Sequence, residues 1–279
     1  MEQANQSQSD FWNGETAKAW IALDDIQGRS FEGVSRTLVD AAGIEAGQMI
    51  LDVGCGTGDT ALPIARLTRA PVTGVDISKV MLERAQQRLA AEPDLDARFM
   101  LGDAQTHGFA KGVFDRVVSR FGMMFFADPV AAFRNIARGL KPGGEMHFIC
   151  WGNPKMNPWF GMPRQIAVRH FGELAPATPR SPGPFGFADQ EWVLGLMKDA
   201  GLAEARVKNV EIGLTPGKTI QSVLPLASLG PIASAMREKN GSEQDQQELV
   251  ARFQEALAQF ETPDGIVIPS HLNLFSARK

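Results

Sequence analysis

The chain contains no tyrosine and only two cysteines among its 279 residues. The first absence removes a phenolate from the candidate bases. The second excludes a disulfide scaffold, since Cys55 and Cys150 stand alone and have no neighbouring Cys/His spacing of the kind that holds a metal. A reducing, cytoplasmic setting is the expectation. Formal charge is −4 at pH 7, and no long block of lysine and arginine appears, so the footprint of a nucleic-acid binder is missing. Apolar runs of membrane-spanning length are also missing, and the first ten residues are polar rather than a basic segment followed by an apolar one. These absences favour a small-molecule substrate and no membrane span.

What the sequence does contain is a strand-like run, Ile50-Leu51-Asp52-Val53, that enters the alternating glycines Gly54-Cys55-Gly56-Thr57-Gly58. Glycine opens backbone angles closed to other residues and lets a chain approach a bulky ligand without a Cβ in the way. A second acid closes Val72-Thr73-Gly74-Val75-Asp76, where the next parallel strand should end, about 18 residues beyond Gly58. A carboxylate there suits two ribose hydroxyls, a geometry that by itself also fits NAD. A tight strand-to-helix turn with no ligand is the bland alternative for the glycines.

The periodicity continues as alternating strands and helices. Strands are predicted at 49–53, 72–75, 97–101, 113–118, 145–151, 204–213 and from 266 through 275, with helices near 31–42, 58–68, 78–91, 128–139 and 189–199. Gly43 should stop the first of these helices, and Lys141-Pro142-Gly143-Gly144 should form a turn. That alternation predicts a parallel sheet with helices on both faces. Two excursions interrupt it. One, over residues 154–188, combines a helix at 159–173 with a Pro/Gly-rich stretch; the other, over 215–263, reads as two helices separated by polar 239–247. The division expected is a helical lid segment at 1–43, a core at 44–153 and 189–214, caps at 154–188 and 215–263, and a final core strand at 264–279.

Taken in order, Leu51-Asp52-Val53-Gly54-Cys55-Gly56-Thr57-Gly58, Gly74-Val75-Asp76-Ile77-Ser78, Leu101-Gly102-Asp103-Ala104, the run Phe114 to Gly122 and Leu140-Lys141-Pro142-Gly143-Gly144 resemble a class I S-adenosylmethionine-dependent methyltransferase. The resemblance is to the broad group containing ubiquinone and menaquinone biosynthesis methyltransferases. It is strong over about residues 11–151 and weak beyond. It implies a doubly wound, mostly parallel, Rossmann-like α/β sheet of seven strands with helical cap insertions. It also implies S-adenosyl-L-methionine as methyl donor, with no metal. Asp52 ahead of the glycines, Asp103-Ala104 and the Lys141 turn resemble methyltransferase features rather than dehydrogenase ones.

Carried over position by position, the resemblance implies a cofactor site at Asp52, Gly54, Cys55, Gly56, Gly58, Asp76, Ile77, Met81, Gly102, Asp103, Ala104, Ser119 and Arg120, with Trp12 and Trp20 in a covering lid. Asp52 is expected at the methionine end, Asp76 at the ribose, and Asp103 at the adenine amino group. Arg120 is a candidate partner for a cofactor or substrate carboxylate, or for a neighbouring acid. Of the histidines, His170 in the first excursion is the candidate base; a base is needed only if the acceptor must lose a proton.

The expected activity is methyl transfer to a small, largely apolar or aromatic metabolite. Phe160, Met162, Phe171, Phe185, Phe187, Leu224, Leu226, Leu229 and Met236 supply apolar surface for enclosing it, although part of that surface must pack the caps onto the sheet. A protein or nucleic-acid methyltransferase and a non-catalytic cofactor binder are the alternatives. The first is disfavoured by Ser119-Arg120-Phe121-Gly122, which stands where Asn/Asp-Pro-Pro-Tyr/Phe would mark amino-group methylation. The caps also offer a surface for a homodimer.

Overall fold

The computed structural model describes residues 5–279. Four helices come first: α1 (Gln6–Asn13), α2 (Glu15–Ala22), α3 (Asp24–Ser30) and α4 (Glu32–Ala42). Then β1 (Ile50–Val53), α5 (Ala61–Thr68), β2 (Val72–Asp76), α6 (Lys79–Ala90), β3 (Ala97–Leu101), β4 (Phe114–Arg120), α7 (Pro129–Gly139) and β5 (Leu140–Trp151) follow in strict alternation save for one missing crossover helix between β3 and β4. Next come α8 (Pro158–Phe171), α9 (Gln190–Asp199), β6 (Ala203–Gly217), α10 (Ile220–Val223), α11 (Gly230–Lys239) and α12 (Glu243–Leu257). The two-residue β7 (Glu261–Thr262) and the long β8 (Gly265–Arg278) end the chain.

The sheet runs β3-β2-β1-β4-β5-β8-β6, with β7 paired to β8 outside that order. The pairings from β3 through β5 are parallel, and β8 runs antiparallel to both of its neighbours. All four residues of β1 are buried, which is why this central strand reads as a short apolar run rather than an alternating one. Strand order reverses between β1 and β4. The crevice beyond the carboxyl ends of those two strands is therefore the place where this architecture receives a ligand.

Local signals fix several helix ends. Gly43 takes a left-handed φ of 53° and stops α4, whose buried Val34, Leu38 and Ala42 form one stripe. Ser78 caps α6 by accepting from the Met81 amide, and Asp128 caps α7 by accepting from Ala131 with Pro129 beside it. The interval between α11 and α12 is shorter than the polar composition predicts. Asn240 ends α11 in the left-handed region, and a reciprocal Ser242/Asp245 capping box starts α12 at Glu243.

Of the segment 1–43, residues 1–4 lie outside the described residues; from Gln6 onward it is helical. Tertiary contacts hold this helix: Ser78 Oγ donates to the Trp12 carbonyl at 2.5 Å, while Asn13 donates to the Ile77 carbonyl and accepts from the Lys79 amide. Lys141-Pro142-Gly143-Gly144 is a wide irregularity inside β5 rather than a turn before it. Leu140 pairs with Phe114 but Glu145 with Arg116, and Gly143 absorbs the extra residues at φ 77°.

Candidate active site

At the carboxyl ends of β1, β2 and β4 lies a cavity of about 450 Å³, within the roughly 300–1,000 Å³ of small-molecule sites. Its floor is the glycine loop after β1. Gly54, Gly56 and Gly58 all have positive φ, at 68°, 53° and 88°. Gly54 is also pressed against the loop after β4, since a Cβ there would stand 2.8 Å from Gly122 Cα, and one on Gly122 would stand 2.5 Å from the Val53 carbonyl oxygen. Gly122→Ala is therefore expected to destabilise the protein by about 1–2 kcal/mol through overpacking, read as a lowered thermal midpoint. An unchanged midpoint would show that the two loops part freely.

Of the residues singled out in the sequence, Trp12, Trp20, Gly54, Cys55, Gly56, Asp76, Ile77, Met81, Gly102, Asp103, Ala104 and Arg120 line this cavity. Asp76 is poised at the end of β2, accepting from the Gly56 and Ser78 amides at 2.8 Å each. Burial pushes its carboxyl above the ordinary range, with those amides pulling the other way. Asp103 accepts from the Gln105 amide and, through both oxygens, from Asn5 Nδ2 at 3.0 and 2.9 Å. The start of the N-terminal segment thus lies directly on the acid after β3.

Asp52, Gly58 and Ser119 lie behind the wall instead. Ser119 is fully buried and donates to the Val53 carbonyl at 2.6 Å, tying β4 to β1. Gly58 backs onto Phe99 and Leu62. Asp52 is almost fully buried; among the described residues neither carboxylate oxygen makes a well-formed hydrogen bond, and the Ala61 backbone amide is the one donor near enough to draw its carboxyl down. Burial pushes its carboxyl up to about 7; the Arg120 charge lowers it, and Asp76 and Asp59 add to the rise.

Arg120 answers to an acid of the chain itself. Its Nη2 lies 3.3 Å from Asp59 Oδ2, its Nη1 donates to Ser35 Oγ, and its guanidinium carbon sits 5.5 Å from the Phe31 ring centre. Arg88 holds the other Asp59 oxygen at 2.6 Å. Burial opposes ionisation of Asp59, but the two guanidinium groups prevail and hold its carboxyl below the usual range.

His170 is corrected as the candidate base. It lies on α8 facing α12, with Nε2 2.6 Å from Asp245 Oδ1 and Nδ1 3.6 Å from Glu248, and it does not line the cavity. The apolar cap residues also divide. Phe160, Met162, Leu226 and Leu229 face the cavity, whereas Phe171, Phe185, Phe187, Leu224 and Met236 do not. Phe187 instead packs on Phe133, Phe148 and Trp192 across the sheet from the site.

Sequence patterns did not single out the aromatic wall. Phe31 meets Phe121, Trp151 and Trp159 edge-on at 5.3, 6.0 and 5.5 Å, and Phe121 stacks on Trp151 at 4.7 Å with planes 2° apart. Phe121 holds that stack with φ at 63°, a left-handed conformation that a bulky residue adopts only under constraint from its surroundings. Its position just after Arg120 at the end of β4 was the one local signal available. Asp59, directly after Gly58, was a second residue within reach of the motif. Nothing local marked Gln27, which also lines the cavity.

Comparison with known proteins agrees with this arrangement. Residues 50–144 match the methyltransferase domain family. An uncharacterized protein of Mycobacterium tuberculosis is 40% identical over 114 residues, or 41% of each chain, so the match spans less than half the length of that relative. A demethylmenaquinone methyltransferase of Renibacterium salmoninarum is 29% identical over 187 residues, covering 64% of this chain and 76% of that one. Among solved structures, phosphoethanolamine N-methyltransferase 2 of Haemonchus contortus in complex with S-adenosyl-L-methionine aligns with a TM-score of 0.61 at 22% identity, over 97% of this chain and 59% of the other. With the strand order described above, these likenesses establish that the chain has the class I S-adenosylmethionine-dependent methyltransferase fold.

Proposed function

We propose that the protein transfers a methyl group from S-adenosylmethionine to a small, largely apolar or aromatic metabolite. The observation that carries this reading is one cavity that joins the glycine loop and the acids Asp76 and Asp103 to an aromatic chamber under the caps. Bound there, S-adenosylmethionine supplies an already activated sulfonium methyl. The chain has to bind, orient and keep water out, which is where much of the rate of such a transfer originates.

In this reading the backbone of Gly54-Cys55-Gly56 lies against the cofactor, and Asp76 accepts the ribose hydroxyls with the lone pairs its two backbone partners leave free. Asp103 and Ala104 serve the adenine edge, Ile77 and Met81 the faces of the ring. Asp52 supports the methionine end from behind the loop. Trp12 and Trp20, 5.8 Å apart and edge-on, form the cover over the crevice. Arg120 positions rather than reacts, since Asp59 neutralises it. The cavity lining includes no histidine or lysine among the described residues, and Asp59, held as an anion by two arginines, is a weak base. The likeness to a protein named for methylating demethylmenaquinone supports a ring-bearing acceptor, and enclosure by α8 and the 215–263 segment favours a free metabolite over a polymer.

Titration calorimetry is expected to show one site per chain for S-adenosylmethionine and a comparable affinity for S-adenosylhomocysteine, which shares its adenosine and amino-acid ends. Binding of NADH with no heat from either methionine nucleoside would overturn the assignment.

A further inference from the structure

Gln27 is 3% exposed, lines the cavity, and has a buried Oε1 that meets no hydrogen-bond donor among the described residues. A buried amide oxygen without a donor is costly, and native proteins tolerate one chiefly where something else completes it. The residues one helical turn to either side of Gln27 locate this oxygen. Asp24 precedes it on α3 by three residues, and Phe31, just past the end of α3, follows it by four with its amide still bonded to the Gln27 carbonyl, so all three share a face. Asp24 accepts from Thr57 Oγ1 at 2.7 Å and pairs with Arg84 at 2.9 Å, which pins that end of α3 to the glycine loop. Phe31 belongs to the aromatic wall with Phe121, Trp151 and Trp159. Gln27 therefore stands at the seam between the cofactor loop and the aromatic chamber.

From this placement, and resting on the methyltransferase reading above, we propose that Gln27 Oε1 recognises the methyl acceptor by taking a hydrogen bond from a neutral O–H or N–H on an aromatic or polycyclic ring. The cavity already has carboxylates for charged donors in Asp76, which ends β2, and Asp103, just after β3, while Asp59 is taken up by Arg88 and Arg120. The neutral amide at the aromatic wall is matched to a neutral donor carried by an apolar body. A side-chain amide takes no proton at physiological pH, so Gln27 orients the acceptor and selects for its donor group. A site built to bond a hydroxyl rejects an analogue lacking it, because the buried polar atom is then left unpaired.

The test is calorimetry on the full chain saturated with S-adenosylhomocysteine, using 1-naphthol and the near-isosteric 1-fluoronaphthalene, which lacks the donor. The parent should prefer the naphthol by on the order of tenfold. In Gln27→Leu, and independently in the unbranched Gln27→Met, that preference should shrink to within about twofold while affinity for S-adenosylhomocysteine stays within about threefold. No preference in the parent, a preference retained in both variants, or no binding of either probe overturns the proposal. A preference left intact while nucleoside affinity falls tenfold overturns it too, and assigns the oxygen to the cofactor. Failure of the parent to bind S-adenosylhomocysteine at all is a different result, which rejects the methyltransferase reading itself.

Discussion

Asp52→Asn is expected to stabilise the ligand-free protein at pH 8 by on the order of 2–4 kcal/mol, and to leave it nearly unchanged at pH 4. The sign follows from the carboxyl, which burial pushes up to about 7 in the folded chain, against about 3.9 in an unfolded one. Between those values the folded state binds the extra proton, so the stability that Asp52 permits is complete below about pH 4, declines as pH rises, and levels off above 7. Asparagine is neutral throughout and removes the decline. The difference between parent and variant melting temperatures, followed from pH 4 to 8, reports the titration of Asp52 together with its coupling to Asp76 and Asp59. The same variant should bind S-adenosylmethionine more weakly at pH 8, since a charge kept at such a cost in the ligand-free protein is the mark of a site shaped for a ligand. Equal melting curves for the two proteins across that range would show that Asp52 is an ordinary, satisfied core residue.

Asp76→Ala is expected to weaken S-adenosylmethionine binding by about 1.5–3 kcal/mol, roughly one to two decades in the dissociation constant. Two losses combine. The ribose hydroxyls lose a charged acceptor, and the Gly56 and Ser78 amides lose the carboxylate that now draws the glycine loop toward the start of α6. The fold should persist, because Asp76 ends its strand at the crevice and contributes no apolar surface to the core. Calorimetry on a variant shown by its melting curve to be folded makes the comparison. Affinity equal to that of the parent would remove Asp76 from the cofactor site.

The glycine-loop half of the cavity was legible because its determinants are local. Asp76 ends a strand, Gly54 and Gly56 follow another, and Asp103 follows a third, so each sits a fixed few residues from a pattern that sequence displays. A parallel sheet then gathers those strand ends without further instruction. The aromatic half has no such spacing. Phe31 and Trp159 meet at 5.5 Å although a whole domain's worth of chain lies between them, and Gln27 acquires its meaning only from what Asp24 and Phe31 touch on either side. His170 failed as a candidate for the same reason: its partner Asp245 lies on α12, a helix whose packing against α8 no local pattern announces. The seat of the helix beginning at Gln6 was hidden because its support is a set of bonds to Ile77, Ser78 and Lys79 rather than an apolar stripe of its own.

The distribution of tryptophan has an optical consequence. The chain has five tryptophans and no tyrosine. Trp12, Trp20, Trp151 and Trp159 line the cavity, and only Trp192 lies away from it, against Phe187 and Arg180. Four of the five indoles that give this protein its near-ultraviolet emission therefore stand in the walls of the cavity, Trp12 and Trp20 as one pair and Trp151 and Trp159 on the aromatic side. Single Trp→Phe replacements would separate the two signals, so that a stopped-flow trace could record the arrival of each ligand in turn without any attached dye.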